Sequence, residues 1–262
     1  MAHPRGLRVD LEVAAMSDVM TPRAAPPRPA KAGRSVGALV QGLVIGIGFV
    51  LLVGAFGALA VQYRPYRIPT QSMTPTLTTG DTVLARSVGG DSVGRGDIVV
   101  FQSQLWGNVP MVKRVVAVSG DTVVCCDAQH RLVVNDHPID EPYLAKQQLN
   151  DKLFTTVVPP GRLFLMGDNR DASLDSRSHL DLAGGTVATT EVLGRVEGTV
   201  WPADRAGLSE RTVAFDGLAG PTAAKPGLLG PAAITMATGA AMIVLASLVG
   251  GLASLARRFR RG

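Results

Sequence analysis

The chain has 262 residues, enough for one or two domains, and a net charge of +5. Much of the positive excess sits at the two ends beside apolar runs, which points away from a nucleic-acid surface and towards a membrane. Four scattered histidines and two adjacent cysteines offer no zinc-ligand spacing, so no metal site is expected.

Residues 1–34 are rich in Pro, Ala and Arg without apolar periodicity and read as a disordered cytoplasmic tail; Met16 and Met20 are alternative starts. Residues 35–63 read as a first transmembrane helix, because 36–61 carry no charge and exceed the roughly 20 residues that cross a bilayer. A cleaved signal peptide is the rival, with Ala58-Leu59-Ala60 as an A-x-A site, but the run is longer than such a region usually is. Gly42 and Gly46 form a small-xxx-small pattern suited to packing on a second helix, with Gly250-Gly251 as its counterpart.

Residues 64–202 read as a mainly β domain, a barrel or sandwich of short strands. Gly-Asp pairs precede apolar runs at Gly80-Asp81, Gly96-Asp97 and Gly120-Asp121, as turns into strands. Residues 111–118 read as a buried strand, and Asn135-Asp136 as a hairpin turn after 131–134. Cys125 and Cys126 are expected to stay thiols, since neighbouring cysteines rarely meet disulfide geometry. Residues 203–230, rich in Gly, Ala and Pro, read as a linker. Residues 231–256 read as a second transmembrane helix, and 257–262 as a basic tail. Arginines and lysines collect on the cytoplasmic side, so both termini are expected inside and 64–202 outside the plasma membrane.

Three stretches are candidates for chemistry. Ser72 lies in Pro69-Thr70-Gln71-Ser72-Met73-Thr74-Pro75, a segment whose prolines forbid regular helix, and it needs a base from elsewhere in the fold. Lys113 alternates with Met111, Val115 and Ala117 on an apolar strand face, where desolvation lowers an amine's pKa and makes it a general base; a lysine snorkelling to solvent is the plain alternative. The polar run from Gly167 to Arg177 contains acids and arginines able to lock a loop by bidentate pairs, with Ser173 held among them.

These stretches resemble the type I signal peptidases, membrane-bound Ser-Lys endopeptidases that remove signal peptides from secreted preproteins. The match runs in order through Ile68–Leu77 by number 68–77, then 95–101, 112–121 and Gly167-Asp168-Asn169-Arg170 on to Ser173, Asp175, Ser176 and Arg177. The resemblance implies Ser72 as nucleophile, Lys113 as base, Ser173 as the residue orienting the lysine, and a Thr70 hydroxyl that joins the Ser72 N–H in an oxyanion hole. It makes Asp168, Asn169, Arg170, Asp175 and Arg177 a structural loop beside the site. It also implies an acyl-enzyme, cleavage after small residues in an A-x-A pattern, no cofactor, and preproteins, the lipid bilayer and the translocation machinery as partners. The rivals are a self-cleaving Ser-Lys protease of the repressor type and a non-catalytic membrane-tethered β domain that binds partners.

Overall fold

The computed structural model describes residues 36–144, 153–225 and 227–260. The tail expected over 1–34 lies outside them, as do Arg261 and Gly262. The two apolar runs form helices α1, Val36–Gln62, and α2, Leu229–Phe259, each long and apolar enough to cross a membrane. Leu43, Phe49, Leu245 and Leu252 are largely exposed, as suits helices that are apolar on every side and need a non-aqueous surrounding.

The helices pack together, and of the expected glycines only Gly250 takes part. Gly48 and Gly239 meet, each lying so close to the other's carbonyl that a Cβ on either would collide with it. Gly42, Gly46 and Gly251 face open space, and Gly250 packs on the Gln41 side chain. Gly46 and Gly48 are only two residues apart, yet about 200° apart around the helix, so one contact face cannot use both.

The domain between them is mainly β, as its composition of short apolar runs predicts. Its larger sheet contains β1 (Tyr63–Arg67), β2 (Thr82–Arg86), β3 (Ile98–Gln102) and β4 (Pro110–Val118). A smaller sheet holds β5 (Thr122–Cys125), β6 (Leu132–Val134), β7 (His137–Pro138) and β8 (Phe154–Val157). The chain then returns to the larger sheet with β9 (Arg162–Met166), β10 (Val187–Ala188), β11 (Val192–Trp201) and β12 (Gly207–Leu208). The larger sheet runs β1-β2-β11-β3-β4-β9-β10, with β12 on β11, and the smaller runs β7-β6-β5-β8; all these pairs are antiparallel. Bulges in β11 and β4 add local bend and twist. Val116, Phe164 and Met166 pack with Val123, Leu132 and Val134, so one core joins the two sheets.

The Gly-Asp pairs are one turn used three times. Gly80, Gly96 and Gly120 have φ of 96°, 94° and 90°, which glycine adopts without a Cβ clash. In each case the following Asp carboxylate accepts the backbone N–H three residues earlier, from Thr78, Gly94 or Val118. The Asn135-Asp136 hairpin also forms, with φ of 52° and 65°, the left-handed pair that suits a two-residue turn.

Three expectations need correction. Cys125 and Cys126 are joined as a disulfide, across a cis peptide that brings their Cα atoms to 3.0 Å. Residues 203–230 do return the chain to α2, but they are no free tether: β12 pairs with β11, Phe215 is buried in the core, and Thr222 bridges to Arg95. The alternation in β4 breaks at a bulge between Val115 and Ala117. Val115 and Val118 therefore enter one core while Val116 and Ala117 enter the other, and Ala117 leaves the face assigned to Lys113.

Candidate active site

The loop between β1 and β2 carries Ser72. Its base is closed by Ile68 N–H donating to Asp81 O at 2.8 Å and Gly80 N–H donating to Ile68 O at 2.8 Å. Ile68, Met73 and Leu77 bury their side chains with Val83, Ile98 and Val100. Burial of each such side chain contributes about 1.5–3 kcal/mol, which ties the loop down on both sides of Ser72. Lys113 stands on β4, where it pairs with Val99 of β3, and is only 5% exposed.

Ser72 Oγ and Lys113 Nζ are 2.9 Å apart and hydrogen-bonded, across 41 positions of chain. Lys113 Nζ also donates to Val112 O at 3.2 Å, and the Thr70 hydroxyl donates to Ser72 Oγ at 3.2 Å. Burial pulls the Lys113 pKa below the ordinary lysine range, against the opposing charges of Asp175 and Asp168. Ser72 Oγ thus receives both the Thr70 hydroxyl and Lys113 Nζ, and a hydroxyl beside an amine that has shed its proton can give up its own.

The run after β9 secures this pair from behind. Asn169 N–H donates to Ser72 O at 3.0 Å, and Gly167 lies so close that an added Cβ would collide with Ser72 O and Ser173 Oγ. Asp168 is fully buried and accepts from Arg114 Nε at 2.8 Å and Nη2 at 2.6 Å, and from the Thr76 hydroxyl at 2.5 Å. It thereby joins the residue next to Lys113 to the loop of Ser72. Asp175 accepts from Arg177 Nε and Nη2, each at 2.9 Å, and from Gly167 N–H at 3.0 Å. Burial alone would raise the Asp175 pKa; Arg177 and Gly167 outweigh it and hold the carboxyl below its usual range. Arg170 reaches out of the run to pair with Glu141.

A family model described as signal peptidase, peptidase S26, matches residues 40–201. Signal peptidase I of Mycobacterium tuberculosis strain H37Rv is 33% identical over 235 residues, covering 70% of this chain and 78% of that protein. Signal peptidase IB of Staphylococcus aureus strain COL is 34% identical over 179 residues, covering 60% and 86%. The chain belongs to the signal peptidase family. A crystal structure of a signal peptidase I from Enterococcus faecalis V583 is 31% identical, with a TM-score of 0.33 over 38% of this chain and 93% of that one.

In this signal peptidase-family chain the paired Ser72 and Lys113 open on a cleft of about 310 Å³. Its walls are apolar, with Ile68, Met73, Val100, Met111 and Val112 beside the two polar groups. Exposed Val109 and Leu174 stand at its margin. A larger cavity of about 480 Å³ lies against Thr76, Arg114 and Tyr143 and touches neither Ser72 nor Lys113.

Ser173 is brought to the site, but not onto the lysine. Among the described residues its buried Oγ has no hydrogen-bond partner within 3.5 Å; it lies over Gly167 and approaches Asp175 loosely. Thr70 lies beside Ser72, its hydroxyl donating to Ser72 Oγ. Sequence reasoning missed Arg114, Thr76, Glu141 and Tyr143. Arg114 had a visible signal, a guanidinium inside an apolar strand directly after Lys113. It is buried under the Tyr143 ring, 4.0 Å from its centroid, and donates to Gly96 O at 2.8 Å. Nothing in the local sequence of Glu141 marks it as the partner of Arg170.

Proposed function

We propose that this chain is a membrane-anchored signal peptidase of the Ser-Lys type, removing signal peptides from secreted preproteins after small residues. The observation that carries this is a serine hydroxyl 2.9 Å from a buried lysine amine whose pKa is driven down by desolvation. Neutral Lys113 takes the Ser72 proton as Oγ attacks the scissile carbonyl. The Ser72–carbonyl bond forms, the oxyanion is met by the Ser72 N–H and the Thr70 hydroxyl, and the proton held on Lys113 passes to the departing amine. Water, activated by the again neutral Lys113, then hydrolyses the acyl-enzyme. Thr70 must turn its hydroxyl from Ser72 Oγ to the oxyanion, a rotation about one bond.

A cleft of about 310 Å³ with largely apolar walls suits short side chains in extended substrate, as an A-x-A pattern offers. Anchorage explains the substrate class. Tyr63 follows α1 directly, and Ser72 is nine residues further, at most ~30 Å of extended chain from the bilayer. A signal peptide lodged in the membrane presents its cleavage site within that reach. The basic end of α2, with Arg257, Arg258 and Arg260, supports an arrangement with both termini in the cytoplasm and the β domain outside.

The test is incubation of the purified full chain, Ser72→Ala and Lys113→Ala with a preprotein carrying an A-x-A site. The parent is expected to release the mature protein with its N-terminus at that site, and both variants to release none. Full processing by Ser72→Ala would refute the mechanism, and a bound but uncut preprotein with the parent would favour a binding module.

A further inference from the structure

Glu197 is a buried carboxylate that the chemistry does not use, and it sits where the domain meets both membrane helices. It is 3% exposed on β11. Its Oε2 accepts from the Tyr63 hydroxyl at 2.5 Å, and Tyr63 is the first residue after α1. The same oxygen accepts the Gly227 N–H at 3.0 Å, two residues before α2 begins. Its Oε1 accepts from Arg195 Nη2 at 2.8 Å, with Arg86 Nη1 at 3.7 Å. The end of one helix and the approach to the other are thus held by one carboxyl group, which also meets two arginines of the sheet.

The surrounding residues suit that contact. A Cβ on Gly227 would lie 2.7 Å from Glu197 Oε2 and 2.8 Å from Oε1, so only glycine lets the backbone approach so closely. A Cβ on Gly198 would lie 2.8 Å from Leu229 Cδ2, so the first turn of α2 also packs directly on β11. Burial and Glu197 push the Tyr63 phenol up to about 12, which keeps it a donor at any working pH. A carboxylate accepting from charged and neutral donors in a dry site forms short, strong hydrogen bonds.

We infer that Glu197 is a positioning residue, clamping the β domain to both membrane helices so that Ser72 is held at one height and orientation above the bilayer. The inference rests on the peptidase reading and adds a ruler to it. With both helices fixed to one group, the domain has no pivot, and only a peptide bond at a set distance from the membrane reaches Ser72. A soluble peptide carries its cleavage site wherever the cleft is, and is indifferent to the clamp.

Glu197→Gln keeps the side-chain shape and removes the charge; Tyr63→Phe removes one hydroxyl and keeps the ring, which safeguards the fold. Each is placed in liposomes beside the parent and given two substrates: a membrane-inserted preprotein with a second A-x-A site a few residues downstream, and a soluble peptide spanning the first site. Because a misplacement of about 1 Å can cost ~100-fold in rate, kcat/KM on the preprotein is expected to fall roughly tenfold or more. Cut at the second site should rise, while soluble-peptide kcat/KM stays within about twofold of the parent. An equal fall on both substrates, as from plain destabilisation, would overturn the clamp, and so would no change on either. Spin labels at Ser92→Cys and Val61→Cys give a reading independent of cleavage. Their distance distribution should be narrow in the parent and broader in both variants, and equal widths would overturn the clamp. A parent that cuts neither substrate refutes the peptidase reading alone, and the label distances still decide the clamp.

Discussion

Asp168→Asn is the perturbation with the most to reveal. The carboxylate holds Arg114 by two short bonds and Thr76 by a third, so one side chain ties β4 to the loop of Ser72. An amide of the same shape removes the charge and turns one acceptor into a donor facing the guanidinium. Removing one partner of a buried ion pair costs about 3–5 kcal/mol. Arg114 keeps Gly96 O and the Tyr143 ring, which puts the loss at the low end, about 3 kcal/mol. At about 2–4 °C per kcal/mol for a chain of this size, Tm should drop by roughly 6–12 °C in a detergent-solubilised thermal melt. Replacing both partners, Arg114→Met with Asp168→Leu, should restore much of that loss, because no buried charge is left alone.

The same substitution has a second readout. Burial depresses the Lys113 pKa, while Asp175 and then Asp168 pull it back up. Without the Asp168 charge the amine loses its proton at still lower pH, so the acid limb of the activity profile should move down, not up. In the parent that limb should already lie below the ordinary lysine range. A Tm within about 2 °C of the parent would refute the reasoning on Asp168, since the scale above makes that less than about 1 kcal/mol. A limb that moved to higher pH would refute the electrostatic part.

Gly167→Ala puts a methyl group against Ser72 O and Ser173 Oγ; stability should fall by about 1–3 kcal/mol while kcat falls by ~100-fold, read by melt and peptide assay together. Thr70→Val should lower kcat by roughly 100-fold with Tm unchanged, and Thr70→Ser should recover most of it; equal losses in both would remove the hydroxyl from the mechanism. Lys113→Met should abolish cleavage yet raise Tm at neutral pH, because a desolvated amine is exchanged for an apolar chain. The folded-state pKa of Lys113 is depressed, so between it and the unfolded value the unfolded chain binds the extra proton and parental stability climbs with pH. The advantage of Lys113→Met should therefore narrow as pH climbs towards 10.5; a constant difference would contradict burial of the amine.

Much of the architecture was legible because it rests on local physics. Uncharged runs of helix-spanning length need no partner to be recognised, and α1 and α2 follow them within a few residues. The Gly-Asp turns and the Asn135-Asp136 hairpin rest on backbone dihedrals that few residues tolerate, and they formed where those residues stand. The linker misreading has a physical root as well. Gly, Ala and Pro between 203 and 230 report backbone freedom, but not the pocket that accepts Phe215 or the β11 edge that accepts β12. The bulge in β4 is equally silent, since it is set by the register against β9 and not by β4 alone.

For the site, residue types and order marked Ser72 and Lys113 as candidates and carried the family resemblance. Local sequence could not bring a hydroxyl and an amine 41 positions apart to 2.9 Å, nor dry the amine, because both depend on which strands pair and which side chains close over them. The long-range partners follow the same rule: Arg114 with Asp168, Arg170 with Glu141, Tyr63 and Gly227 with Glu197. A charge in the sequence declares what it can bind. Only the folded chain, by excluding water from around it, decides which partner it must have.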